Sequence, residues 1–206
     1  MNFHLYLAYL SISFFTIVSP GAAILLAINN GLYYDLKAVL ISSVANIIGL
    51  FILSVIAMIG ISSILLISHN FLIGLKIIGA IYLIYLGIKQ IINKNTKIFL
   101  KKNHTHSEYN KIHIFRKGFF IAITNPKPIL FFSAIFPLFL DKTKDINLQF
   151  FLMTFSFMFI SLCSLMTYGF LSKTAKAWFL EEKSLKLFYK ISGFLFILMG
   201  IGMLYL

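Results

Sequence analysis

The chain has 206 residues, of which 60% are hydrophobic and only 12% charged, with a mean hydropathy of +0.93. These values exclude a soluble domain, whose apolar share is nearer half, and identify an integral membrane protein. The net charge of +12 would suit a nucleic-acid partner, but Lys and Arg lie almost wholly between apolar spans, where anchoring at a membrane surface accounts for them, so no nucleic acid is expected. The single cysteine, Cys163, excludes an intramolecular disulfide, a dithiol relay or a multi-cysteine metal site.

From Phe3 to Leu32 the chain carries no Asp, Glu, Lys or Arg, a run longer than a signal-peptide core. It reads as a retained first helix. Six apolar segments follow one another at 4–31, 38–66, 71–92, 115–140, 147–171 and 187–206. Each has about 20 residues or more, the length that crosses a ~30 Å hydrocarbon core. The predicted fold is therefore an all-α polytopic membrane protein of six transmembrane helices. The connections are short except for the polar, Lys-rich segment from Asn93 to His113. One transporter domain over 1–206 thus divides into a half at 1–92, a linker at 93–113 and a half at 114–206.

Of the 18 Lys and Arg residues, 14 fall in or beside the first, third and fifth loops and 3 on the opposite side, with Lys127 left over. The positive-inside rule puts the odd loops in the cytoplasm and both termini outside. Ser172 to Lys190, with Trp178, reads as an amphipathic cytoplasmic rim. Three helices per half is an odd number, so the halves have opposite orientations, the inverted-repeat arrangement of many secondary transporters. Lys76-Ile-Ile-Gly79 in the third helix and Lys190-Ile-Ser-Gly193 in the sixth, each continuing to a second glycine (Gly87, Gly200), agree with that reading.

The first helix of each half is interrupted, at Ser19-Pro20-Gly21 and at Asn125-Pro126-Lys127-Pro128. Serine or asparagine followed by proline is the pattern of a helix beginning, because proline has no amide proton to leave unpaired there. Each span then becomes two half-helices, with unpaired amides of partial positive charge near the bilayer midplane. Such ends bind carboxylates. A lysine at that depth is unfavourable by roughly 2.5 to 3.5 kcal/mol on insertion scales, so Lys127 reads as a functional group facing a cavity. Simple proline kinks without a ligand are the alternative. The expected site is Ser19, Pro20, Gly21, Asn46, Thr124, Asn125, Pro126 and Lys127. Amides after Ser19 and Asn125, together with Lys127, face a carboxylate, while Asn46, Thr124 and carbonyls near Val18 face an ammonium.

These residues match a known pattern. Ser19-Pro20-Gly21, Leu75-Lys76-Ile-Ile-Gly79-Ala80-Ile-Tyr82-Leu83-Ile-Tyr85-Leu86-Gly87 and Asn125-Pro126-Lys127 with the following Phe-Phe-Ser-Ala-Ile-Phe-Pro137-Leu-Phe139 resemble the LysE/RhtB family of bacterial amino-acid exporters over nearly the whole chain. The resemblance implies a carrier of the bacterial inner membrane that exports amino acids or related small metabolites by secondary-active transport. Its partners would be a small-molecule substrate and the lipid bilayer, with no cofactor; homo-oligomer formation is left open. Some relatives carry an acid where this chain has Ser161. With no Asp or Glu deep in any span, Asp35 is the only near candidate for proton coupling.

Two rival classes remain. A metal-ion or other small-solute exporter could use His104, His106, Glu108 and His113, but five lysines between Lys94 and Lys111 would repel a cation. A membrane-embedded enzyme would need an acid pair, a metal cluster or a nucleophile with its base, and the spans hold none of these. Asn46, Ser161, Ser164, Thr167 and Tyr168 are polar groups on inner spans, where interhelical hydrogen bonds are the commoner use. The 23 phenylalanines read as packing or lipid-facing residues.

Overall fold

A computed structural model describes residues 3–19, 21–64, 69–92, 109–141, 143–174 and 182–205. Among them every regular element is helical: α1 (Phe3–Val18), α2 (Ala22–Tyr33), α3 (Leu36–Ile64), α4 (His69–Ile92), α5 (Lys111–Thr124), α6 (Pro126–Leu130), α7 (Ile146–Thr174) and α8 (Glu182–Tyr205). Trp178 with the middle of the expected rim, 175–181, and most of the long linker, with His104, His106 and Glu108, lie outside the described residues, while 172–174 and 182–190 of that rim are the ends of α7 and α8.

Two described helices are long and apolar enough to cross a membrane, Leu36–Gly60 within α3 and Ile146–Ser172 within α7. The number rises to four if each of two bent pairs is one span, α1 with α2 at 52° and Lys111–Thr124 with Pro126–Phe139 at 43°. Both bends fall where the sequence predicts interruptions. Helices α4 and α8 lie on the third and sixth predicted segments.

Short polar caps set the helix beginnings. The Asn110 side chain accepts from Ile112 N (2.9 Å) and His113 N (3.3 Å), and Asp145 accepts from Asn147 N (2.8 Å) and Leu148 N (3.1 Å), each satisfying amides that a first turn leaves orphaned. Asp35 likewise accepts from Ala38 N at 2.7 Å. The Asn110 cap corrects the linker boundary: Lys111 and His113 are the first turn of α5, not loop. After α6 the chain widens into a π turn (Phe131–Ile135) and tightens into a 3₁₀ turn (Phe136–Phe139). Pro137 has no amide to continue an α ladder and its ring opposes the carbonyl four residues back, which accounts for the change of pitch.

Between helices in lipid, van der Waals packing and hydrogen bonds replace the hydrophobic effect as the associating force. The aromatic turns after α6 show this. Phe131, Phe132, Phe136 and Phe139 are buried around Tyr9 of α1 and Phe157 of α7, and the Tyr9 hydroxyl donates to the Met153 carbonyl at 2.8 Å. Glycines allow the closest crossings. A Cβ on Gly118 of α5 would sit 2.5 Å from the Ser42 carbonyl of α3, and one on Gly87 of α4 would sit 2.5 Å from the Gly193 carbonyl of α8. Gly200 meets the Ala80 carbonyl on the same seam, so α4 and α8 run antiparallel. Gly49 of α3 faces Ala122 of α5.

Candidate functional site

The two bends lie against each other. The Lys127 ammonium, one residue into α6, donates to the Ser19 carbonyl at the end of α1, 2.8 Å away. The Tyr168 hydroxyl of α7 donates to the Val18 carbonyl at 3.0 Å, and the Gln90 amide of α4 donates to the Ser19 hydroxyl at 2.6 Å. Three helices therefore converge on two residues at the end of α1. Phe196 of α8 presents its ring to the Lys127 ammonium, 5.6 Å from the ring centre.

Ser19, Gly21, Asn46, Asn125 and Lys127 line one cavity, together with Thr16, Ser161 and apolar residues including Leu50, Phe157 and Leu165. The space open to the centre of a water molecule is about 50 Å³, enough for a few waters at roughly 10–15 Å³ each. Among the described residues no Asp or Glu lines it. Asn46 and Ser161 are buried, and their side chains make no hydrogen bond among the described residues. Thr16 is buried as well, with an unpartnered hydroxyl. Among the described residues no group of three or more His, Cys, Asp or Glu side chains could hold a metal ion.

The helix beginnings at the two bends differ from the sequence expectation. Ser19 closes α1, its amide donating to the Phe15 carbonyl at 3.0 Å, and the residue that caps α2 is Gly21, in extended backbone with no side-chain cap. Serine is thus spent on the end of one half-helix, and the first amides of the next stay open. At the second bend the prediction of a cap held for Asn125, whose side chain accepts from Lys127 N at 3.1 Å. That cap, however, removes the anion site expected there: Pro126 and Pro128 have no amide proton, Lys127 N is taken, and Ile129 N reaches the Asn125 carbonyl at 3.4 Å. The positive group at this bend is the Lys127 side chain.

Thr124 is exposed and bonds the Phe120 carbonyl at 2.6 Å, away from the cavity, and Pro126 does not line it either, whereas Pro128 does. Pro20 lies outside the described residues. Thr16, Gln90 and Phe157 are among the site residues that sequence reading missed, with the apolar Leu50, Leu165 and Phe196. Thr16 sits one turn before the Ser19 break and could have been found from that spacing; Gln90, in the last turn of another span, had no such signal. Asp35, read as a possible proton carrier, joins the α2–α3 turn to the start of α5: it accepts from the Tyr109 hydroxyl at 2.8 Å. Partial burial pushes its carboxyl up, but the bonds from Ala38 N and Tyr109 and the nearby Lys37 outweigh that and hold it below the ordinary value. It stays ionised near neutral pH.

Two bent helix pairs meeting at a lysine suit a membrane translocator. The chain belongs to the LysE type translocator family, whose model matches residues 14–206. It is 31% identical to the uncharacterized membrane protein YrhP of Bacillus subtilis over 97% of each chain. It is 28% identical to a homoserine/homoserine lactone efflux protein of Salmonella typhimurium, covering 97% of this chain and 96% of that one. A leucine efflux protein of Salmonella choleraesuis is 27% identical over 78% of this chain and 75% of its own length. No solved structure matches the chain.

Proposed function

We propose that the protein exports amino acids across a bacterial inner membrane by secondary-active transport, through a six-span carrier built from two oppositely oriented halves of three helices. The observation that carries this reading is the Lys127–Ser19 contact at 2.8 Å, which brings the breaks of the two half-repeats to one cavity. The cavity offers an ammonium from Lys127 and the uncapped amides at the start of α2 to a substrate carboxylate. It offers the Ser19 carbonyl and the free Asn46 side chain to a substrate ammonium. The antiparallel α4–α8 seam, with glycines at matching places in the two helices, supports the inverted relation of the halves. Efflux of homoserine and homoserine lactone, and of leucine, by similar proteins supports a cargo that is a small amino acid or a close derivative of one.

Cells loaded with dipeptides accumulate the released amino acids unless an exporter removes them. Cells that produce this chain should hold several-fold less of at least one amino acid inside, and more outside, than cells without it. Equal pools for every amino acid tested would overturn the reading. Export of nickel, zinc or cadmium instead would favour the metal-exporter alternative.

A further inference from the structure

The carbonyl end of α1 is a cation site already filled by one of the protein's own side chains. Ending a helix inside the membrane leaves its last carbonyls without intrahelical donors, at the negative end of the helix dipole. Here the Phe15 carbonyl is taken by Ser19 N at 3.0 Å, the Val18 carbonyl by the Tyr168 hydroxyl at 3.0 Å, and the Ser19 carbonyl by the Lys127 ammonium at 2.8 Å. The last two donors belong to the second half of the chain. A carbonyl oxygen and the Phe196 ring, 5.6 Å away, are the partners a primary ammonium takes in the absence of an acid, and among the described residues no acid lines this cavity.

We propose that Lys127 is a stand-in for the substrate's own ammonium. The substrate amine takes the Ser19 carbonyl, and the displaced Lys127 ammonium pairs with the carboxylate of the same molecule. This rests on reading the cavity as an amino-acid site. Only a molecule with both groups completes the exchange. An amine without a carboxylate sets a second cation beside Lys127 with nothing to neutralise either. A carboxylate without an amine draws Lys127 away and leaves a buried carbonyl unpaired. The site therefore selects the free zwitterion over its lactone, amide or N-acyl forms. Between loads, the Ser19 contact keeps a membrane-buried lysine satisfied.

Binding to the purified full-length chain in lipid nanodiscs tests this by calorimetry, with leucine, isoamylamine and isocaproate as one set and homoserine, aminopropanol and hydroxybutyrate as another. The parent should bind the amino acid of at least one set about tenfold or more tightly than its amine-only and acid-only counterparts. In Lys127→Ala the amine-only ligand should gain about tenfold over its affinity for the parent, as it takes the place vacated on the Ser19 carbonyl. Lys127→Gln, which keeps a donor near that carbonyl, should show no such gain. A parent that binds the amine or the acid alone as tightly as the amino acid would overturn the exchange, even where the alanine variant fails to fold. So would a folded Lys127→Ala that gains nothing for the amine, or a glutamine variant that gains as much as alanine. A parent that binds no amino acid at all would instead contradict the amino-acid reading, and the exchange with it.

Discussion

Lys127 is the residue on which the site turns. Among the described residues its ammonium has a carbonyl and an aromatic ring for partners and no carboxylate, so the two ways of altering it differ in kind. Lys127→Ala removes the charge and leaves the α2 amides, and export should fall by roughly tenfold or more, the loss of a charge-assisted hydrogen bond. Lys127→Glu places a negative charge against the Ser19 carbonyl and should abolish export, measured at matched membrane abundance because a misplaced buried charge also threatens insertion. The lysine and its asparagine cap were legible in the sequence, since a charge and an Asn-Pro pair inside an apolar span have few other uses. The expectation of free amides after Asn125 failed because it counted the helix end and not the prolines and the cap that consume its donors. At the first bend the misreading was of register: Ser19 ends α1, and Gly21 begins α2. Asp35 gives a separate prediction at the rim. Its carboxyl is held below the ordinary value in the fold, so its contribution is full above about pH 4 and is lost as pH falls through the lower folded value. The protection factors of the Leu36 to Val39 amides, taken relative to their intrinsic exchange rates at each pH, should therefore fall in acid, and Asp35→Asn should lower them at neutral pH by the equivalent of less than about 1 kcal/mol because the group is solvated.

Among the helices, contact is decided by where the backbone can come close. Apolar runs and loop breaks gave the segments to within a few residues, because absence of charge over such lengths has one main physical cause. Which faces meet was not legible: a helix apolar all round has no stripe to read, and α3 and α7 are of that kind. Glycine alone carried a partial signal. Gly49 faces α5, and Gly87 and Gly193, the second glycine of the third-helix pattern and the first of the sixth, oppose each other across the α4–α8 seam. The glycines sort into two groups that mutation can separate. Gly118→Ala and Gly87→Ala drive a methyl against a backbone carbonyl and should cost about 1–3 kcal/mol, seen as lower folded yield and earlier thermal unfolding. Gly60→Ala and Gly74→Ala meet nothing within 4 Å and should be neutral or stabilising by up to about 1 kcal/mol from helix propensity. Equal effects in the two groups would show that the seams do not hold the helices as described.

For the molecule as a whole, the distribution of Lys and Arg predicts both termini outside and residues 93–113 in the cytoplasm. Cysteine labelling from each side in a Cys163→Ser background should find that pattern, and a cytoplasmic C-terminus would defeat the six-span count and the inverted halves together. Parallel packing of α3 with α5, where Gly118 meets Ser42 and Ala122 meets Gly49, suits the same orientation. The central claim is that the two bends hold a substrate's carboxylate. It is tested most directly in proteoliposomes by comparing export of one amino acid with export of its amide, through the parent and through Lys127→Ala. The account predicts that the parent moves the free acid at least about tenfold faster than the amide, and that the alanine variant loses most of this preference. Equal export of acid and amide by the parent would contradict it.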